Sequence, residues 1–266
     1  MVGLSVTPAA TPGEESVRAR LVADSASLVS GKEIQLGVFL EMDPGWHVYW
    51  RNPGDAGLAT EVEFDLPDGF VTGSLRWPTP ISFTQPGDLA AYGYENEVLL
   101  AIPVRVPDGD IGGRVPVAAS VSWLACKDVC VVGSAELRGE LPMPDSGALF
   151  EIWRERSPMP NGPFSLGFSD GLAEDERRGT VSLWLEWSEP PGEVEFFPDT
   201  GERLKISEAT VRTRGNLTRI DFRVAMIGGG DGMVDRVPSV VTSTDRAGER
   251  RGWVFDAPLR DDFNID

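Results

Sequence analysis

Two cysteines and one histidine carry most of the chemistry that this sequence can offer. The cysteines are separated by three residues in Cys126-Lys127-Asp128-Val129-Cys130, between Val121-Ser122-Trp123-Leu124-Ala125 and Val131-Val132. Along a continuous strand, positions i and i+4 lie about 13 Å apart at ~3.3 Å per residue. A disulfide needs Cα atoms within roughly 4.4–6.8 Å. If the pair bonds, Lys127-Asp128-Val129 must reverse the chain tightly and leave the sulfurs at a sheet end or edge. So short a loop makes a poor staple: about 2 kcal/mol before strain, against ~4.7 kcal/mol for a loop of about 100 residues. Three roles stay open from the residues alone: a redox-active pair, a modest structural clip, or free thiols with a transient metal site. Lys127, one of three lysines, favours a thiolate, and Asp128 beside it opposes one. Cys126 follows the apolar Trp123-Leu124-Ala125, which should bury its sulfur and raise its pKa. Cys130 is therefore the better candidate to face a partner.

His47 lies in Gly45-Trp46-His47-Val48-Tyr49-Trp50. Zinc usually takes four N/S ligands, and His47 with both cysteines supplies only three, so neither a resident metal nor a cofactor is expected. No G-x-S-x-G elbow presents a serine nucleophile to it. The plain reading is a half-buried histidine among Trp46, Tyr49 and Trp50. The 42 acidic residues do not sort into a glycosidase pair. The run Gly228-Gly229-Gly230-Asp231-Gly232 has no G-K-S/T ending and reads as a loop rather than a phosphate cradle.

Around these residues lies an acidic chain of 266 residues, with 42 acidic against 24 basic side chains and a net charge of −18. That balance excludes nucleic acid and anionic membrane surfaces as partners, since both need a basic face. A hydrophobic content of 41% excludes a disordered chain. Thirty glycines and 21 prolines suit a turn-rich β protein. No stretch approaches the roughly 18 apolar residues of a membrane span. The opening residues lack the charged and apolar regions of a signal peptide, so the expectation is a cytosolic chain or the trimmed soluble part of an exported one.

The elements that must position the cysteines read as strands. Val17–Val22 alternates, Ser30-Gly31-Lys32 turns, and Glu33–Leu40 follows, closed by Asp43-Pro44-Gly45. Glu61–Phe64, Val98–Val106 and Val115–Leu124 continue the pattern, with Val98–Val106 read as an edge strand because Pro103 cannot donate to a ladder. Prolines at 142, 144, 158, 160 and 163 bracket a short helix over about 147–156, capped by Ser146, with Leu149, Ile152 and Trp153 as its apolar stripe. Strands resume at 181–185, 193–197, 218–224 and 252–255. The expected fold class is all-β, two immunoglobulin-like β-sandwiches joined by a Pro-rich linker with one short helix. The expected boundaries are 15–142 for the cysteine-bearing domain, 143–163 for the linker and 164–260 for the second domain.

Four segments together resemble a known family. They are Asp43-Pro44-Gly45-Trp46-His47-Val48-Tyr49-Trp50-Arg51-Asn52-Pro53-Gly54-Asp55-Ala56-Gly57-Leu58, Leu75-Arg76-Trp77-Pro78-Thr79-Pro80, Tyr92-Gly93-Tyr94-Glu95-Asn96-Glu97-Val98 and Trp123-Leu124-Ala125-Cys126-Lys127-Asp128-Val129-Cys130. In order and spacing these resemble the N-terminal periplasmic domain of the DsbD/ScsB thiol:disulfide interchange proteins, in its ScsB-type branch. Glu195-Phe196-Phe197-Pro198-Asp199 looks like the second immunoglobulin-like domain of that branch. The resemblance implies a periplasmic domain, the soluble portion of a membrane-anchored protein. Its pair would take reducing equivalents from a thioredoxin-like domain of the same protein and pass them to periplasmic thioredoxin-like or disulfide isomerase-type proteins. It makes Cys126 and Cys130 the exchanging pair and Cys130 the cysteine that forms mixed disulfides. Tyr92 and Tyr94 become candidate shields, with His47, Trp123, Lys127 and Asp128 in support. The sequence departs from the DsbD branch at Ala91, where that branch carries phenylalanine, and in the three-residue cysteine spacing. The rival reading is a non-catalytic binding module with a minor structural disulfide, docking through Trp46–Trp50; a weaker one is a metal-handling protein.

Overall fold

The computed structural model describes residues 16–85, 87, 89–172, 177–201, 203–227 and 234–260; the glycine run at 228–232 lies outside them. The chain forms two compact units. One comprises residues up to Pro78 with Gly93–Glu155, the other Thr79–Tyr92 with the chain from Arg156 onward.

Chain order runs β1 (Val17–Ala23), β2 (Glu33–Met42), β3 (His47–Gly54), β4 (Glu61–Asp65), β5 (Val71–Thr72), β6 (Ile81–Gln85) and β7 (Leu89–Glu95). Then come β8 (Glu97–Arg105), β9 (Val115–Cys126), β10 (Cys130–Leu141) and the helix α1 (Gly147–Glu155). One sheet of the first unit has the order β1-β2-β8-β5; the other runs β10-β9-β3-β7, with β4 also paired to β9. Ile34, Leu36, Ile102 and Val104 from the first sheet meet Val115, Val117 and Leu141 from the second in one core. Each such side chain contributes about 1.5–3 kcal/mol on full burial, so the two faces hold each other.

Two local expectations are corrected. The strand containing Pro103 is not an edge: β8 lies between β2 and β5, with Gln35 opposite Pro103. Proline instead ends the short β5 ladder. Gly73 N–H donates to the Pro103 carbonyl, and Pro103 has no N–H to return the bond. In α1 the buried pair is Phe150 and Trp153, while Ile152 is exposed. Phe150 reaches β2 through Gly37, where a Cβ would lie 3.4 Å from its ring.

The second unit contains β11 (Phe164–Asp170), β12 (Arg178–Trp187), β13 (Glu193–Pro198), β14 (Leu204–Arg214), β15 (Leu217–Met226), β16 (Arg236–Thr244) and β17 (Arg250–Pro258). Its sheets have the orders β11-β12-β15-β14 and β13-β16-β17. Leu183, Trp187 and Phe222 face Phe196, Val241 and Trp253 in its core. Thr79–Tyr92 belongs here by specific contacts. Arg250 binds the Pro80 carbonyl and the Glu195 carboxylate, and the Tyr92 ring meets Phe197 edge-on at 5.1 Å. The all-β fold of two sandwiches with one short helix is borne out. A sequential division near 142–163 differs from the observed one in two places: α1 goes with the first unit, and 79–92 goes with the second.

Candidate functional site

The site grows out of the β9–β10 hairpin. Cys126 is the last residue of β9 and Cys130 the first of β10, and the two stand opposite each other in register. Lys127–Val129 reverse the chain, with Lys127 N–H donating to the Val129 carbonyl at 3.1 Å. The cysteines form a disulfide, their Cα atoms 4.1 Å apart. The tight reversal expected from the spacing is therefore present, at a sheet end. The two sulfur-bearing residues differ in environment: Cys126 is 1% exposed, while Lys127, Asp128, Val129 and Cys130 are all exposed.

Strand β3 forms the other wall. Its first residue, His47, pairs with Cys126, and Val48 pairs with Ala125. Because side chains alternate along a strand, His47 and Tyr49 share the face that carries the disulfide, while Val48 and Trp50 point to the opposite side. The Tyr49 hydroxyl donates to Cys126 Sγ at 3.2 Å. Tyr49 is fully buried, and the turn after β3 folds back over its ring. Gly57, at φ 120°, lies against the ring: a Cβ there would sit 2.3 Å from Tyr49 Cε1. Asn52 Oδ1 accepts from Gly54 N–H, and the Tyr49 carbonyl accepts from the Thr60 hydroxyl at 2.8 Å. The Asn52-Pro53-Gly54-Asp55-Ala56-Gly57 run thus builds a corner that seats one tyrosine against one sulfur. The His47 ring meets Tyr49 edge-on at 5.4 Å. Burial holds His47 below its ordinary pKa, with the charge of Glu95 pulling the other way.

The remaining candidates fall into three places. Lys127 Nζ donates to the Pro44 carbonyl at 3.1 Å, which ties the hairpin tip to the turn before β3. Trp123 is buried and lies across Gly133 of the paired strand, where a Cβ would come within 2.5 Å of its indole nitrogen. Asp128 is exposed at the tip. Tyr92 contacts Phe197 in the second unit, whereas Tyr94, in the first, donates to the Pro78 carbonyl at 2.8 Å. Gly93 between them is required sterically, since a Cβ would lie 2.0 Å from the Val48 carbonyl oxygen. Tyr49 and Trp50 are buried, which removes most of the Trp46–Trp50 segment as a docking surface. Among the described residues, no group of three or more His, Cys, Asp or Glu is placed to hold a metal ion. No helix among them is long and apolar enough to cross a membrane.

Sequence reasoning missed Tyr49 as a site residue. An aromatic in an alternating strand reads as core, and the signal that separates it is its shared face with His47 opposite Cys126. Two exposed valines, Val129 and Val132, also flank the exposed cysteine.

Residues 18–142 match the family model described as thiol:disulfide interchange protein DsbD, N-terminal. Among solved structures, the chain is similar to the N-terminal periplasmic domain of ScsB from Proteus mirabilis, at 19% identity and a TM-score of 0.69. That match covers 94% of this chain and 96% of that one, so the two-unit fold is shared along nearly its whole length. A second structure, the major pilin subunit BcpA of Bacillus cereus, aligns at 9% identity and a TM-score of 0.31, covering 92% of this chain and 67% of that one. No curated protein matches the chain. The resemblance read from the four quoted segments is borne out.

Proposed function

With residues 18–142 matching the DsbD N-terminal family model, we propose that the chain is a periplasmic thiol:disulfide exchange module. The observation that carries the reading is the asymmetry of the pair: Cys130 is exposed at the hairpin tip, and its bonded partner Cys126 is buried. A thiolate of a thioredoxin-like dithiol attacks Cys130 Sγ. The Cys126–Cys130 bond breaks, a mixed disulfide forms at Cys130, and the electron pair leaves on Cys126 Sγ. The donor's second thiol then attacks the mixed disulfide, which releases an oxidised donor and a reduced Cys126/Cys130 pair. The reduced pair passes its electrons to a periplasmic disulfide by the same steps in reverse. The donor is the thioredoxin-like domain of a membrane reductase, and the recipients are thioredoxin-like or isomerase-type proteins. Lys127, held to the turn at Pro44, and the buried Trp123 fix the hairpin on which the exchange occurs.

Equilibration in glutathione or dithiothreitol redox buffers tests this. A relay pair should titrate at about −180 to −270 mV, in the range of exchange proteins. A value below about −300 mV marks a structural bridge and favours the binding-module reading instead.

A further inference from the structure

Breaking the disulfide at Cys130 forces a negative charge onto Cys126, which water barely reaches. A thiolate in such a place is costly unless a donor meets it. The structure supplies a donor. The Tyr49 hydroxyl stands 3.2 Å from Cys126 Sγ on a fully buried ring. Gly57 and the His47 ring pack against that ring, and the Thr60 hydroxyl holds the Tyr49 backbone through its carbonyl. Building on the exchange reading above, we propose that Tyr49 is a catalytic residue of the exchange, stabilising the Cys126 thiolate as it leaves.

The physics is that of a preorganised donor. A sulfur in a disulfide is a weak acceptor, so the hydrogen bond does little in the oxidised state. As the S–S bond stretches, charge gathers on Cys126 Sγ and the same O–H becomes a charge-assisted donor without moving. The interaction is stronger in the transition state than in the ground state, which is the condition for it to raise a rate. The proton stays on the Tyr49 oxygen throughout. In the reverse direction the same contact keeps Cys126 ready as the resolving thiolate. The Asn52–Gly57 corner follows as a positioning device, because it holds the Tyr49 ring against the sulfur.

The test uses Tyr49→Phe, which keeps the ring that Gly57 packs against, in the full chain. With dithiothreitol as the attacking dithiol, reduction of the disulfide should slow by roughly tenfold or more, the worth of a hydrogen bond to a charged group. In the Cys130→Ala background, the pH at which the 240 nm thiolate absorbance of Cys126 is half developed should move up by about one unit. Replacing the three tyrosines by 3-fluorotyrosine strengthens the donor, and that half-point should move down. This last measurement needs no Tyr49 substitution to fold. Equal reduction rates for Tyr49→Phe and wild type, or a half-point that fluorination does not move, would overturn the proposal. Failure of the exchange reading shows elsewhere, as a potential below that of relay proteins, and leaves the dithiothreitol comparison intact.

Discussion

His47 is the chain's single histidine, which makes its titration readable without substitution. Burial disfavours the imidazolium, and Glu95 offsets that only in part, so the folded pKa lies below 6.5. As pH falls through the window just under 6.5, the unfolded chain takes up the proton first, and stability declines. The proton NMR titration of this one ring should therefore have its midpoint below 6.5, and the stability loss across that window should disappear in His47→Gln. A midpoint at or above 6.5 contradicts the burial assigned to the ring. At this scale the sequence was most legible where spacing limits geometry. Three residues between cysteines leave few ways to close a disulfide, and a tight hairpin is the one found. Tyr49 was illegible because its role depends on Gly57, eight positions away, folding over its ring.

The β9–β10 hairpin shows what the elements contribute. Trp123 and Gly133 face each other three residues behind the two cysteines, and the glycine leaves room for the indole. Gly133→Ala forces a buried ring to shift, because a Cβ would lie 2.5 Å from it. A loss of about 1–3 kcal/mol is expected, as for other overpacked positions, and urea unfolding measures it; a loss under about 0.5 kcal/mol, as at an ordinary surface position, would show that the ring is not pinned. Strands with one clean apolar face, such as β2 and β12, were readable from alternation. β10 and β14 were not: β10 alternates exposed and covered positions, but Gly133, Ala135 and Gly139 on its covered face are too small to mark it, and most of β14 is exposed or half-buried without a regular alternation. The helix was placed correctly within a residue, bracketed by prolines, yet its buried face turned on Phe150 meeting Gly37, a contact between distant residues.

Across the whole molecule, the least legible feature is the assignment of Thr79–Tyr92 to the second unit. In the sequence this segment sits between strands of the first, and only the contacts of Arg250, Glu195 and Phe197 reveal where it belongs. The acidic charge excluded nucleic acid early, but it says nothing about which sulfur meets a partner. In the proposed exchange, the exposure of Cys130 against the burial of Cys126 is the observation that assigns Cys130 that part. The most direct measurement is therefore a trapping experiment on the full chain with a reduced thioredoxin-like donor lacking its resolving cysteine. Each single-cysteine variant is first activated as a mixed disulfide with a small aromatic thiol. Cys126→Ala, which keeps Cys130, should accumulate a stable mixed disulfide with the donor, and Cys130→Ala should accumulate little. Equal trapping by both variants, or trapping through Cys126 alone, would contradict the assignment of Cys130 as the sulfur that faces the partner.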